Sequence, residues 1–276
     1  MSERAWLITG CSSGLGRAIA AHVLQRGERA VVTARNLESI QDFSSGIALK
    51  TVLDVTNRAQ IDEAVEQAER AFGGIDVLVN NAGYGYLAAV EEGEEREVRA
   101  MFDANFFGLV ELTKRVLPGM RRRGRGHIVM ISSMGGLVAG PAAGYYNATK
   151  FALEGLSEAL QKELEPLGIR VTLIEPGPFR TEWAGRSLKQ TGIPIEAYAA
   201  TAGARRALIA ANSGKQPGDP ARAAAALMAV VDSPAPPLRL LLGRPALEAV
   251  RAKLAAMADG IKQWEATTLS ADFPQS

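Results

Sequence analysis

Tyr146 and Lys150 stand four residues apart in the stretch YYNATK, whereas the neighbouring Tyr145 stands five from that lysine. On a helix, residues four apart share a face and residues five apart are rotated away from each other, so Tyr146 is the tyrosine expected to work with Lys150. A phenol with its ordinary pKa of about 10 is a poor proton shuttle near neutrality unless a cation stabilises the phenolate. Lys150 is the cation within reach. Such a pair suits hydride movement to or from a carbinol carbon, because a proton must then move at the oxygen. A hydroxyl must also hold that oxygen. Ser133 in ISSMGG is the choice, with Ser132 as the alternate that points the opposite way if both are extended. Asn105 in ANFFG is expected to interrupt its helix and hold a water linking Lys150 to solvent.

These groups need a scaffold and a second reactant. The segment LITGCSSGLGRAIAAHVLQRG joins a strand to a helix through Gly10, Gly14 and Gly16. Glycine lets the backbone turn sharply and approach a pyrophosphate, whose charge is favoured by the free N–H groups and dipole of the helix that follows. The next strand ends VVTARN. A carboxylate there would bind a ribose 2′-hydroxyl; instead Ala34 holds the position and Arg35 follows, which favours NADP(H) while leaving NAD(H) possible. Asp54, in LDVT, is placed either to accept a bond from an adenine amino group or to cap the next helix. Asn80, Asn81, Ala82 and Gly83 form a small-residue stretch against which a cofactor can lie.

Seven apolar runs read as strands: AWLITG, RAVVTA, IALKTVLDV, IDVLVNNAG, GHIVMISS, IRVTLIEPG and LRLLLG. Segments with helical spacing link the first six. Non-alternating strands separated by helices predict an α/β fold, a doubly wound parallel sheet covered on both faces, with ligands beyond the carboxyl ends of the strands. Length and 47% hydrophobic content fit one domain over residues 1–276. SPAPP at 233–237 marks a turn into the last strand, and residues 182–220 are expected to cover a substrate. A mostly apolar pocket is expected from Gly85, Tyr86, Met134 to Val138, Tyr145 and the segment beginning near Glu182.

The remaining chemistry is mostly excluded. Lys and Arg number 31 against 30 acids, so no broad field attracts nucleic acid or an anionic membrane. Cys11 is alone, ruling out an internal disulfide, and with only His22 and His127 a zinc site of the usual kind is not expected. Cys11 reads as a small residue in a turn, and RRRGRG at 121–126 as a solvated helix end. The start of the chain carries no long apolar segment, so the expectation is a cytoplasmic protein without membrane insertion.

The order Thr9-Gly10-x-x-x-Gly14-x-Gly16, Asn80-Asn81-Ala82-Gly83, Asn105, Ser133, Tyr146-x-x-x-Lys150 and Pro176-Gly177 resembles the short-chain dehydrogenase/reductase family over roughly residues 5–181. TGCSSGLG and NNAGYG suggest its hydroxysteroid and retinol dehydrogenase members. The resemblance implies a Rossmann-type fold, a catalytic tetrad of Asn105, Ser133, Tyr146 and Lys150, and a homodimer or homotetramer. It implies a cofactor site drawing on Thr9, Gly10, Ser12, Ser13, Gly14, Leu15, Gly16, Arg35, Asp54, Val55, Asn81, Ala82, Gly83, Ile131, Tyr146, Lys150, Pro176, Gly177 and Thr181. Phe179 in PGPFRT departs from the family's usual Val or Ile. The activity implied is interconversion of a ketone or aldehyde and the alcohol, on a small apolar substrate. The competing expectation is a regulatory or scaffold protein that binds nucleotide without turnover.

Overall fold

The computed structural model describes residues 4–185 and 187–273. All seven runs named above form strands of one parallel sheet: β1 (Ala5–Ile8), β2 (Arg29–Ala34), β3 (Ala48–Val52), β4 (Val77–Asn80), β6 (Gly126–Ile131), β7 (Ile169–Pro176) and β9 (Arg239–Leu242). Their spatial order is β3-β2-β1-β4-β6-β7-β9. The chain builds outward from β1 to β3 on one side, then returns beside β1 and builds outward from β4 on the other. The crevice at that reversal, outside the carboxyl ends of β1 and β4, is where such sheets bind ligands.

Both faces are buried, which is why the strands are apolar without alternation. Trp6 and Ile8 point to the layer of α1 (Gly14–Gln25) and α7 (Pro220–Asp232). Leu7, on the opposite face, pairs in register with Val31 and Leu78 and joins the core under α2 (Arg58–Phe72), α4 (Gly108–Arg123) and α5 (Gly144–Leu164). The short α3 (Glu95–Phe102) precedes α4, with a π-helical turn over Asp103–Phe107 between them. SPAPP does lead into β9, and Arg170 ties it down by donating to the carbonyls of Ser233 and Pro234.

Two strands were not foreseen. β5 (Gly85–Leu87) and β8 (Leu188–Gln190) pair in a separate parallel ribbon, so the segment expected as a cover is folded rather than bare. It continues through α6 (Ala204–Ala211). Its most buried tie is Glu92, which accepts from the backbone N–H groups of Ala89 and Ile195, at 2.8 and 2.9 Å, and pairs with Arg206. Its bond with Arg206 is the main reason the carboxyl sits low, at about 2. No local pattern announces such a clasp, because Glu92 and Arg206 are 114 residues apart. The last helix, α8 (Arg244–Leu269), begins against β9.

Candidate active site

Helix α5 carries Tyr146 and Lys150 into the interior, both at most 9% exposed. The two tyrosines are told apart by their partners. Tyr145 donates to the carbonyl of Val90 at 2.6 Å, whereas Tyr146 faces Ser133, whose hydroxyl favours the ionised phenol, and its ring centroid lies 5.3 Å from that of Trp183. The two serines separate likewise, because β6 ends in an extended backbone that turns successive side chains to opposite sides. Ser133 faces Tyr146, accepts from Gly135 N–H at 2.9 Å and approaches the Pro176 carbonyl at 3.5 Å. Ser132 points away and donates to Glu154 at 2.5 Å.

Burial pushes the Tyr146 phenol up to about 12, and the Ser133 hydrogen bond pulls it down. Lys150 is not among the groups that lower it, contrary to the expectation from spacing alone. Its Nζ lies 5.9 Å from the ring centroid and donates to the Ile131 carbonyl at 2.8 Å. Burial drags its own pKa down to about 8, and the Glu154 carboxylate, one turn along α5, pulls it back up. Near neutrality the site therefore holds a neutral phenol and an ammonium that is still largely charged.

Behind Lys150 is a buried cluster that the sequence did not reveal. Glu154 accepts from Ser132 and from Arg239 Nε, the latter at 2.9 Å; Arg239 also reaches Glu158 at 3.1 Å. Glu175, the penultimate residue of β7, is fully buried, and Arg239 Nε is too far from it, at 3.6 Å, for a hydrogen bond. Neither of its oxygens has a hydrogen-bond donor among the described residues, and the Glu154 carboxylate lies close enough to oppose its charge. Burial, then Glu154, raises Glu175 to about 8.

Asn105 lies in the π-helical turn, as an interruption there predicts, and its amide comes within 3.4 Å of the Thr149 hydroxyl on α5, next to Lys150. It is fully buried and clasps the backbone of Tyr84, accepting from the N–H at 3.0 Å and donating to the carbonyl at 2.8 Å. Asn81 is also a brace. Its amide donates to the carbonyls of Thr9 and Gly10, while the Thr9 hydroxyl accepts from the N–H groups of Asn81 and Ala82. Gly83 is held small by Asn105, whose Oδ1 would lie 2.9 Å from an added Cβ.

The glycine turn leaves the start of α1 without a side-chain cap. Gly10 has φ +70°, and a Cβ on Gly16 would lie 2.4 Å from the Gly10 carbonyl oxygen, so only glycine fits. Ser13 stands at the N-cap of α1 without capping it, and the first turn holds no acid. The amide donors of the first turn, around Ser12, Ser13, Gly14 and Leu15, thus lack a side-chain acceptor, the arrangement that a pyrophosphate satisfies. Thr181 closes over this turn, its Cβ 3.4 Å from where a Gly14 side chain would begin, and its Oγ1 accepts from Trp183 N–H at 3.2 Å. Since Trp183 also packs on Tyr146, the glycine turn and the phenol are two walls of one crevice. Arg35 is exposed just beyond β2, and Ile131, Pro176 and Gly177 end the neighbouring strands β6 and β7. Asp54 holds Thr56 through one carboxyl oxygen; the following helix is capped by Asn57 instead. Val55 is buried beside it.

Residues 4–192 match the family described as short chain dehydrogenase. The chain belongs to that family. Over 269 residues it is 37% identical to Oxidoreductase BOA17 of Botryotinia fuckeliana, covering 96% of this chain and 98% of that one. It is 42% identical to retinol dehydrogenase 8 of Homo sapiens over 70% of this chain and 64% of that protein. A short-chain dehydrogenase from Streptomyces avermitilis superposes with TM-score 0.92 at 40% identity, covering 98% of this chain and 99% of that one. An alcohol dehydrogenase from Thermococcus sibiricus, solved with 5-hydroxy-NADP, superposes at 0.71 with 27% identity over 87% and 95%. This short-chain dehydrogenase is accordingly an oxidoreductase acting on CH–OH groups with a nicotinamide dinucleotide, which the uncapped helix and glycine cradle fit.

In this dehydrogenase the pocket wall differs in part from expectation. Tyr86 is fully buried and donates to Glu94, so it supports the wall rather than facing a ligand. Trp183, not singled out from sequence, packs on Tyr146, in a cluster that Tyr84 and Tyr145 also flank. Its position after Thr181 was the available signal. Cys11 is buried, its thiol pushed up to about 12 by desolvation, as suits a small packed residue. His127 is buried against Thr172, far in role from any metal. Among the described residues there is no His, Cys or acid cluster fit for a metal ion and no helix long and apolar enough to cross a membrane.

Proposed function

We propose that this enzyme interconverts an apolar ketone or aldehyde and its alcohol, preferring NADP(H), with Tyr146 as the proton donor and acceptor at the substrate oxygen. The observation that carries the reading is the buried Tyr146 phenol facing Ser133, close to the uncapped end of α1. The bound dinucleotide supplies or takes the hydride. For reduction, the chain must deliver a proton to an oxygen that is gaining charge. A phenol held at about 12 stays protonated near neutrality and is ready to donate. Ser133 orients the oxygen. Lys150, charged below about pH 8, is the nearby acid that restores the proton to the phenolate left behind. Asn105 acts by fixing the Tyr84 wall and the π-turn.

The cofactor would be held by the amides of residues 12–16, by Arg35 at a 2′-phosphate, by Asp54 and Val55 at the adenine, and along Ala82–Gly83, Ile131, Lys150, Pro176–Gly177 and Thr181. The aromatic wall of Tyr84 and Trp183 supports an apolar substrate, as does the likeness to a retinol dehydrogenase. Residues 182–220, clasped through Glu92, form its cover. Replacing Tyr146 by Phe removes the transferable proton, so kcat should fall by ~10²–10⁴ while the dissociation constant of NADPH, read by fluorescence, changes little. Turnover within threefold of the parent, on a substrate found from a panel of ketones and aldehydes, would dismiss the assignment.

A further inference from the structure

From Arg251 onward every residue of α8 is exposed except Gly260, so about 28 Å of helix stands clear of the body at 1.5 Å per residue. That arm is not uniformly polar. Leu247, Val250, Leu254, Met257, Ile261, Trp264 and Thr268 follow one another at alternating steps of three and four, the spacing of a coiled-coil seam. Val250 is buried against the body, but Leu254, Met257, Ile261 and Trp264 are 59, 50, 68 and 61% exposed. A helix of this length is marginal in water without something on its apolar face. Its other faces mix Arg244, Arg251, Lys253 and Lys262 with Glu248, Asp259 and Glu265, unlike the basic face of a helix that lies on an anionic membrane.

We propose that this seam is covered by the same seam of a second copy, packed antiparallel. The register follows from the residues. Setting Leu254 against the partner's Trp264 also sets Met257 against the partner's Ile261, giving two layers and their twofold images. In that register Arg251 flanks the partner's Glu265 on both sides of the twofold axis, giving two complementary charge pairs. Gly260 falls at the centre. In the middle of a helix it costs about 1 kcal/mol relative to Ala, and within one protomer nothing lies within 4 Å of where its Cβ would be. Close approach of two helices at the axis supplies the missing reason. A parallel pairing would stack Trp264 on the partner's Trp264 and bring Arg251 to no acid.

The pairing has a consequence for the site. α8 starts on the turn Met134–Gly136, directly after Ser133, and Ala246 packs on Gly177. The partner's Thr268–Phe273 segment would therefore lie beside the root of α8, at the rim of the crevice.

The test is sedimentation velocity and light scattering on the full chain. Leu254→Glu combined with Ile261→Glu should halve the particle mass while the circular dichroism of the body persists. Arg251→Glu should weaken association at least tenfold, and adding Glu265→Arg should restore it. Ala258→Cys, which faces its own copy across the axis, should form a disulfide-linked dimer on mild oxidation, whereas Ala256→Cys on the outer side should not. An unchanged mass in the Leu254/Ile261 variant overturns the proposal. So does cosedimentation of the parent, lost in that variant, with phosphatidylcholine–phosphatidylserine vesicles in place of a mass change.

Discussion

Replacing Glu175 by Gln should make the protein more stable, and increasingly so as pH rises. Glu175 is fully buried, and its carboxyl is held protonated, to about pH 8, by desolvation and by Glu154. Its ordinary value when unfolded is 4.5. A folded pKa above the unfolded one means that the native state holds a proton the unfolded state has released. Stability is then complete below pH 4.5 and declines as pH rises to about 8, after which the loss is constant. A shift of that size sets a ceiling of about 5 kcal/mol. Because Arg239, 3.6 Å away, offsets part of that cost, we expect roughly 2 kcal/mol, or ~4–8 °C in Tm for a chain of this size. Gln is neutral at every pH and nearly isosteric with the acid. The measurement is thermal unfolding of parent and variant from pH 5 to 9. Any fixed packing penalty adds the same offset throughout, so the informative quantity is the change in the Tm difference. It should grow in favour of Gln between pH 5 and 8 and then level off. A difference that is flat, or that moves against Gln at high pH, refutes the protonated Glu175 carboxyl.

Three further outcomes follow from the same geometry. Ser133→Ala should lower kcat ~10²-fold, the usual cost of losing one donor at a reacting oxygen, whereas Ser132→Ala should spare kcat and instead destabilise by about 1–3 kcal/mol through Glu154; thermal melts with steady-state kinetics separate them. Arg35→Ala should weaken NADPH ~10–100-fold in a fluorescence titration and leave NADH nearly unchanged, with equal losses counting against 2′-phosphate recognition. His127 is depressed to about 4 by burial and by Arg170 and Arg4, so its contribution is whole above its unfolded value of 6.5 and is lost as pH falls to 4. Denaturant unfolding should show up to about 3 kcal/mol of that loss, absent in His127→Gln.

Thr172 donates to the Pro237 carbonyl, so its oxygen can only accept from His127 Nε2–H, which leaves the added proton in acid no partner but Nδ1.

The sheet was legible because its physics is local and repeated. A strand buried on both faces must be apolar without alternation, and all seven such runs became neighbours. Tyr146 over Tyr145 was legible for a similar reason, since helical spacing alone puts one and not the other on the face of Lys150. The glycine turn was legible through a steric need, as the Gly10 carbonyl excludes any side chain at Gly16. What spacing could not give was the outcome of competition for partners in space. It suggested that Lys150 would acidify the phenol, yet the Ile131 carbonyl takes the ammonium, and desolvation sets the pKa of both groups. Asn105, Asn81 and Asp54 were recognisable by position, but only the folded chain shows their polar atoms committed to Tyr84, to Thr9 and Gly10, and to Thr56. The clasp of Glu92 on Arg206 and the meeting of Glu154 with Glu175 join residues with no periodic relation. Burying a charge demands a partner, and which one is near enough is decided by tertiary packing.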